Sequence, residues 1–344
     1  MLSSRTEAIL KSIVGQYIIK ALPVSSGSIT EEAELKVSSA TIRNEMVRLE
    51  KEGYIIRPHH SSGSIPLDKG YRCYVNGLGE IKLPLAEQRM ISHLFHQVEG
   101  ELDGWLNLAA TLLAKMVNNV ALVTTPRTRQ CQLKQVEVVS LQGSLALVIL
   151  VLRGARVRQQ LINFGESSYD VRIIANRLSE IYAGMNRDEI AAADNELDSR
   201  ERKVRDCILK EMEAEDTSQY EEPYLDGLHF TLNQPELAQN HPLSLNLMEL
   251  VEQRSLVKSV MPSRIDGKGA KVVIGTENQA EPVRSYSVVI SQYGLSDEAV
   301  GTISVIGPTR MNYARTIATV EYLAVVLNIL VARLYGKEIS VDSE

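Results

Sequence analysis

"VSSATIRNEM", Val37 to Met46, is the stretch on which the reading of this chain turns. Two serines and a threonine stand at the mouth of an amphipathic helix, and an arginine and an asparagine follow within its first turns. Ser38 is a good N-cap, because its side-chain oxygen can accept one of the N–H groups that a helix start leaves unpaired. At about 100° per residue, Ile42, Met46 and Leu49 fall on one side and are expected to face a core. Ala40, Asn44, Val47, Arg48 and Lys51 fall opposite, flanked by Thr41 and Arg43. Gly53 stands where a glycine just past the helix end would stop it.

Working outward, a first helix is predicted from about Ser4 to Ile19, with Ile9, Leu10, Ile13, Val14 and Tyr17 on one face. Pro23 breaks the chain, and a short second helix is predicted over about Ile29 to Glu34. Helix, short helix, turn and helix is the helix-turn-helix layout. On the other side, "YIIR" reads as a short strand, Ser61-Ser62-Gly63 as a turn and "SIPL" as a returning strand. A hairpin directly after the third helix is a wing, so residues 1–80 are expected to form a winged-helix domain.

The candidate DNA contacts follow from side-chain chemistry. Ser38, Ser39 and Thr41 offer hydroxyls beside free backbone N–H groups, a helix start suited to phosphate. Arg43, Asn44 and Arg48 carry forked groups that match guanine and adenine edges in a major groove. Lys51 adds a cation on the same face, and His60, Ser61 and Ser64 stand in the wing, with Ser64 expected on its outward edge. Pattern alone leaves two other readings open. The hydroxyls could be ordinary caps under a solvated face, and winged helices also dock proteins.

Bulk charge does not help. The chain has a net charge of −6 and a pI of about 5.7, which argues against a partner gathered by overall attraction. Residues 1–80 hold ten Lys/Arg against nine Asp/Glu and are about neutral. A nucleic-acid reader of this kind must gather its few cations on one face.

The 344 residues allow two or three domains. The first residues lack the layout of a signal peptide. The longest apolar runs, Ser144–Leu152 and Tyr322–Leu334, fall short of the ~20 residues that span a bilayer. Cys73, Cys131 and Cys207 are odd in number and far apart, with no metal or disulfide spacing. The expected location is therefore the cytoplasm, associated with the nucleoid, with no membrane contact. Leu85 to Asn119 reads as mostly helical. "LKQVEVVSL", "SLALVILVL" and "ARVRQQLINF" read as antiparallel strands, and strands return in "AKVVIGTEN", "YSVVISQY" and "VGTISVIG". The two strand groups are expected to form one sheet domain, interrupted by helices over Tyr169–Glu215. There Val171, Ile174, Leu178 and Ile181 form one apolar stripe, and Val204, Ile208 and Met212 form another that could pair with a symmetry mate. "GTISVIGPTR" lacks a P-loop's Gly-Lys-Ser/Thr ending, and Thr309 is expected to cap the helix after it. Arg310 and Arg315 are then left to contact another domain or chain. No nucleophile–base constellation, metal cluster or cofactor motif appears, so no enzyme, metal or cofactor is expected.

Several stretches go beyond pattern. "VSSATIRNEMVRLEKEGYI", "RPHHSSG", "DKGYRCYV", "VIGTEN" and "GTISVIGPTRMNYARTI" together resemble HrcA, the heat-inducible transcription repressor family of bacteria. The resemblance implies an α+β multidomain chain. Its parts would be a winged helix (1–80), a GAF-like α/β domain with an antiparallel sheet (85–165 and 225–344) and an inserted helical dimerisation domain (166–224). It implies a homodimer on an inverted-repeat operator in double-stranded DNA ahead of heat-shock chaperone genes, kept active by the GroEL chaperonin. A ligand-gated winged-helix regulator of another regulon is the alternative. Two departures each remove a cation. Ser61-Ser62-Gly63-Ser64 stands where the family usually has Ser-Ala-Gly-Arg, and Ser25-Ser26-Gly27 where it usually has Gly-Ser-Arg.

Overall fold

The computed structural model describes residues 2–32, 38–59, 62–98, 101–126, 131–153, 156–164, 171–217, 223–253, 255, 256, 259, 269–295 and 299–337. The chain divides into two compact units. One comprises Met1–Thr125, Glu222–Tyr293 and Gly301–Val331; the other comprises Pro126–Glu221, Gly294–Val300 and Ala332–Glu344.

The first unit opens with α1 (Ser4–Lys20), capped by Ser3, whose hydroxyl accepts the Thr6 N–H at 3.2 Å. Ile9, Leu10, Ile13 and Val14 are fully buried, as their spacing predicts. The short α2 (Ser26–Glu32) starts three residues before the expected point, because the Ser25 hydroxyl accepts the Ser28 N–H and caps it. Then come α3 (Ser39–Lys51), the two-residue strands β1 (Ile55–Ile56) and β2 (Ile65–Pro66), and α4 (Asp68–Asn76). β1 and β2 pair antiparallel, Ile55 opposite Pro66.

The rest of the first unit is built on α5 (Leu85–Gln97), α6 (Leu102–Val117) and β3 (Val120–Val123). After β3 the chain departs into the second unit. There β4 (Leu133–Ser140), β5 (Leu145–Leu152) and β6 (Arg156–Asn163) form their own antiparallel sheet in the order β4-β5-β6, followed by α7 (Val171–Tyr182), α8 (Arg187–Ala192) and α9 (Ser199–Thr217). One sheet face buries Val136, Val138, Val148 and Leu150 against Ile174 and Leu178 of α7 and Val204, Ile208 and Met212 of α9. Burying a side chain of this kind is worth about 1.5–3 kcal/mol.

The chain returns through β7 (Tyr224–Asp226), α10 (Leu228–Leu232), α11 (Pro235–Ala238), α12 (His241–Glu252), β8 (Lys271–Ile274), β9 (Tyr286–Leu295), β10 (Ala299–Pro308) and α13 (Tyr313–Leu334). These strands and β3 make a five-stranded sheet in the order β7-β3-β10-β9-β8. Val123 lies opposite Tyr224, so the chain leaves for the second unit and comes back on neighbouring antiparallel strands.

Two expectations fail here. The strand groups 133–163 and 271–308 do not share a sheet, because the first closes its own core with α7 and α9. The apolar stripes of those helices are spent inside that core: Ile174, Leu178, Val204, Ile208 and Met212 are all buried, so none is left for a symmetry mate. Apolar side chains are exposed on the other face of the sheet, at Val139, Leu145, Val157 and Leu161.

The final helix also starts differently. Asn312, not Thr309, caps it, accepting the Arg315 N–H at 3.2 Å, while Pro308 to Met311 forms a turn. By length and composition alone α13 could cross a membrane. Its Thr316, Val320, Leu323 and Leu327 are instead fully buried in the first unit.

Candidate nucleic-acid interface

The candidate interface is the outward face of α3, and local chemistry sets it. Ser38 holds the extended backbone of an N-cap, and its hydroxyl accepts the Thr41 N–H at 3.2 Å and meets the Thr41 hydroxyl at 3.0 Å. Ile42, Met46 and Leu49 are buried, which fixes the rotation of the helix about its axis. Ser38, Ser39, Ala40, Arg43, Asn44, Val47, Arg48 and Lys51 are exposed, and Thr41 is half-buried. After the cap residue Glu52 the backbone turns left-handed at Gly53 (φ 74°), and the Tyr54 N–H closes the turn on the Leu49 carbonyl.

The acids of α3 and its cap are each engaged. The Thr6 hydroxyl donates to Glu45 at 2.8 Å, tying α3 to α1. Glu50 pairs with Arg57 at the end of β1, 3.3 Å away. Glu52 pairs with Arg48 at 2.8 Å, and its carbonyl accepts from Lys69. Of these, only Arg48 is drawn from the outward face. Its guanidinium is raised above its ordinary value by the hydrogen bond and charge of Glu52.

The hairpin lies differently from expectation. His59 and Ser62 close its turn, with the Ser62 N–H donating to the His59 carbonyl at 3.0 Å. His60 and Ser61 lie outside the described residues. Ser64 is not on an outward edge. It exchanges two backbone hydrogen bonds with Val24, at 2.8 and 2.9 Å, and its side chain is fully buried. Gly63 lies so close to Pro23 that a Cβ there would sit 2.5 Å from the Pro23 backbone. The segment after α1 thus covers the returning strand and turns Ser64 inward.

The chain matches the HrcA protein C-terminal domain over residues 103–317. A heat-inducible transcription repressor HrcA of Dehalococcoides mccartyi is 52% identical over 98% of both chains. Another, of Chloroflexus aurantiacus, is 35% identical over 97% of this chain and 95% of its own length.

The chain belongs to the HrcA family.

A crystal structure described as a hypothetical protein at 2.2 Å resolution shares 25% identity and a TM-score of 0.59, covering 97% of this chain and 98% of that one. HrcA members are named as heat-inducible transcription repressors, and a repressor needs a surface that meets DNA. Sequence reasoning reached α3 of this HrcA chain residue by residue. It missed what holds the N-terminal segment in place. Asp68 and Arg72 on α4 bond to the turn at Gly275–Glu277, and Arg310 bonds to the end of α1. The family motifs "DKGYR", "VIGTEN" and "GPTRMNY" were the available signal: the first bonds to the second, and Tyr71 of the first lies 5.9 Å from Tyr313 of the third. Among the described residues, no group of three His, Cys, Asp or Glu gathers as a metal site.

Proposed function

We propose that this chain represses transcription as a homodimer bound to an inverted-repeat operator ahead of heat-shock chaperone genes. In this reading residues 1–80 act as a winged helix, the five-stranded unit as a GAF-like body, and the protein works in the cytoplasm. The observation that carries the reading is the division of charge on α3. Its acids are held by Thr6, Arg57 and Arg48, while Arg43, Asn44 and Lys51 stand exposed on one face.

Set in a major groove, that face has matched chemistry. An α-helix has no internal acceptor for the N–H groups of Ser39 and Ala40, so they can meet a phosphate. Arg43 and Asn44 can take guanine and adenine edges, and Val47 can meet a thymine methyl. Arg48 must exchange Glu52 for DNA. An exposed i,i+4 pair is worth about 0.3–0.5 kcal/mol. A bidentate base contact discriminates by ~1–3 kcal/mol, so the exchange is favourable.

A dimer doubles these contacts across a twofold axis. β5 is apolar on both faces. Leu147, Ile149 and Val151 point away from the helices; Leu147 lies between Val139 and Leu161 and Val151 beside Val157, while Ile149 lies between Glu137 and Gln159. An aliphatic face of this kind calls for cover, and a second copy presents the same face to it. Maintenance of the active form by GroEL rests on the family.

The test is operator and random-DNA binding by Arg43→Ala/Asn44→Ala. Two base-reading contacts predict a loss of about 30-fold or more on the operator, with random DNA little changed. Equal binding of both DNAs by variant and wild type would remove α3 as the reader. Operator binding after mild heating should recover further with GroEL and ATP than without; equal recovery would sink the chaperonin part alone.

A further inference from the structure

Three stretches far apart in sequence meet at one place in the first unit. α4 presents Asp68, Tyr71 and Arg72, three and four residues apart and so on one helix face. The Asp68 carboxylate accepts the Thr276 N–H at 2.9 Å and the Thr276 hydroxyl at 2.7 Å. The backbone at Gly275 comes so close that a Cβ would sit 2.4 Å from the same carboxylate oxygen. Arg72 donates through Nη2 to the Val272 carbonyl at 2.8 Å and through Nε to Glu277 at 2.7 Å, forming a forked ion pair with that carboxylate. Glu277 is itself anchored by the Ile274 N–H at 2.9 Å. The rings of Tyr71 and Tyr313 lie 5.9 Å apart.

Arg310 secures the other side. Its Nη1 donates to the Ile18 carbonyl at 2.6 Å, one of the last four carbonyls of α1, which the helix leaves without an internal partner. The same guanidinium pairs with Glu236. So α1 and α4, the first and last helices of the N-terminal module, are each bonded to the five-stranded body. Residues 77–84 alone join α4 to α5. As a free tether they would let the N-terminal module turn.

We propose that Asp68, Arg72 and Arg310 are positioning residues that set the operator spacing this protein accepts. They hold the module in one orientation on the body, so that in a dimer the two α3 helices meet their half-sites at one separation and one rotational phase. This inference rests on the DNA-binding reading given above. Its physical basis is that the second half-site binds intramolecularly. A rigid mount concentrates the second helix at one place, whereas a loose one spreads it over many.

The test uses the full chain, as wild type, Arg72→Ala and Glu277→Gln. The DNAs are operators with the native spacer, operators with spacers changed by up to half a helical turn, about five base pairs, and a single half-site. Wild type should lose on the order of 10²-fold in affinity when the spacer is half a turn out of phase, because one half-site is then left empty. Each variant should bind the native operator about tenfold more weakly and lose only a few-fold more across the spacer series. Half-site binding should stay as in wild type. Glu277 lies outside the module, so Glu277→Gln separates aiming from folding. A steep, wild-type spacer profile in both variants overturns the inference. So does a loss of half-site binding in step with operator binding, which would mean the bonds hold the module's fold rather than its aim. A wild type indifferent to the operator would strike down the DNA-binding reading itself, and the variants play no part in that outcome.

Discussion

The outward face of α3 and the outward face of the β4–β5–β6 sheet are both exposed, but their chemistry is opposite. α3 presents Arg43, Asn44, Arg48 and Lys51. The sheet presents Val139, Leu145, Val157 and Leu161. On α3 the charges that need shielding are already paired beside it, and what remains is polar and strongly hydrated. On the sheet Gln135 donates to Glu137 at 2.7 Å, and Val139, Leu145, Val157 and Leu161 around that pair add apolar area that water disfavours. A face of the first kind suits a charged partner and should weaken as salt screens it. A face of the second kind suits a copy of itself and should hardly respond to salt. Exposure alone therefore does not define a function; the chemistry of what is exposed does.

The largest effect expected is on the sheet. Val157→Glu with Leu161→Glu places like charges on both copies of the face. Sedimentation should show monomers at high and low salt alike. Operator affinity should fall by roughly 10²–10⁴, the advantage of two linked modules over one, while half-site binding holds. A double variant that still sediments as a dimer would put the interface elsewhere.

Next comes Ser64→Arg. Read from sequence, a cation on an outward edge would tighten binding to all DNA and steepen the slope of log affinity against log salt by roughly one unit. The buried Ser64 side chain predicts something else. The variant must bury a charge or pull the strand from Val24, and should lose about 2–3 kcal/mol in urea unfolding with the salt slope unchanged.

A smaller effect is expected at Lys51. Lys51→Ala should weaken operator and random DNA together and reduce the salt slope by about 0.9 if the side chain meets one phosphate. An unchanged slope would remove Lys51 from the interface and leave the reading helix shorter.

The smallest effect is on acid stability, where two carboxyls sit below their ordinary range. Burial would raise Glu215, but Arg158 and Arg156 outweigh it. Burial would likewise raise Glu277, but Arg72 and the Ile274 N–H outweigh it. As pH falls, the unfolded chain takes up these protons first, near pH 4.3. The stabilisation is therefore complete above that value and is lost as pH falls through the lower folded values. Glu215→Gln should be less stable than wild type at pH 7 and should show a flatter decline in acid. A decline parallel to wild type would mean Glu215 contributes nothing to it.

Much of α3 was legible because its signals are local. Ile42, Met46 and Leu49 recur at helical spacing, and Ser38 and Gly53 mark its ends. The strands β4, β5 and β6 were legible from alternation and an unbroken apolar run. β3 and β7 were not, because four and three residues beside helices carry no periodicity to read. Ser64 was misplaced because its burial depends on its pairing with Val24, which precedes the third helix and the hairpin in sequence. The bonds of α4 were out of reach for the same reason, since Asp68 and Thr276 are 208 residues apart.

Sequence was enough to establish α1 and α3, the helical stretches within 85–119 and 169–215, the long last helix, the exposed face of α3 and, through long motifs, the HrcA family, but not α4. Apart from the family, each of those rests on side chains within a few residues of one another, where helical geometry alone decides which way they point. The fold decided which sheet each strand joins, that the α7 and α9 stripes are internal, that Ser64 faces inward and that three motifs close on one another. Alternation along a strand says that one face is buried but not against what. A hydrogen bond across two hundred residues exists only once both ends have been brought together by the packing between them.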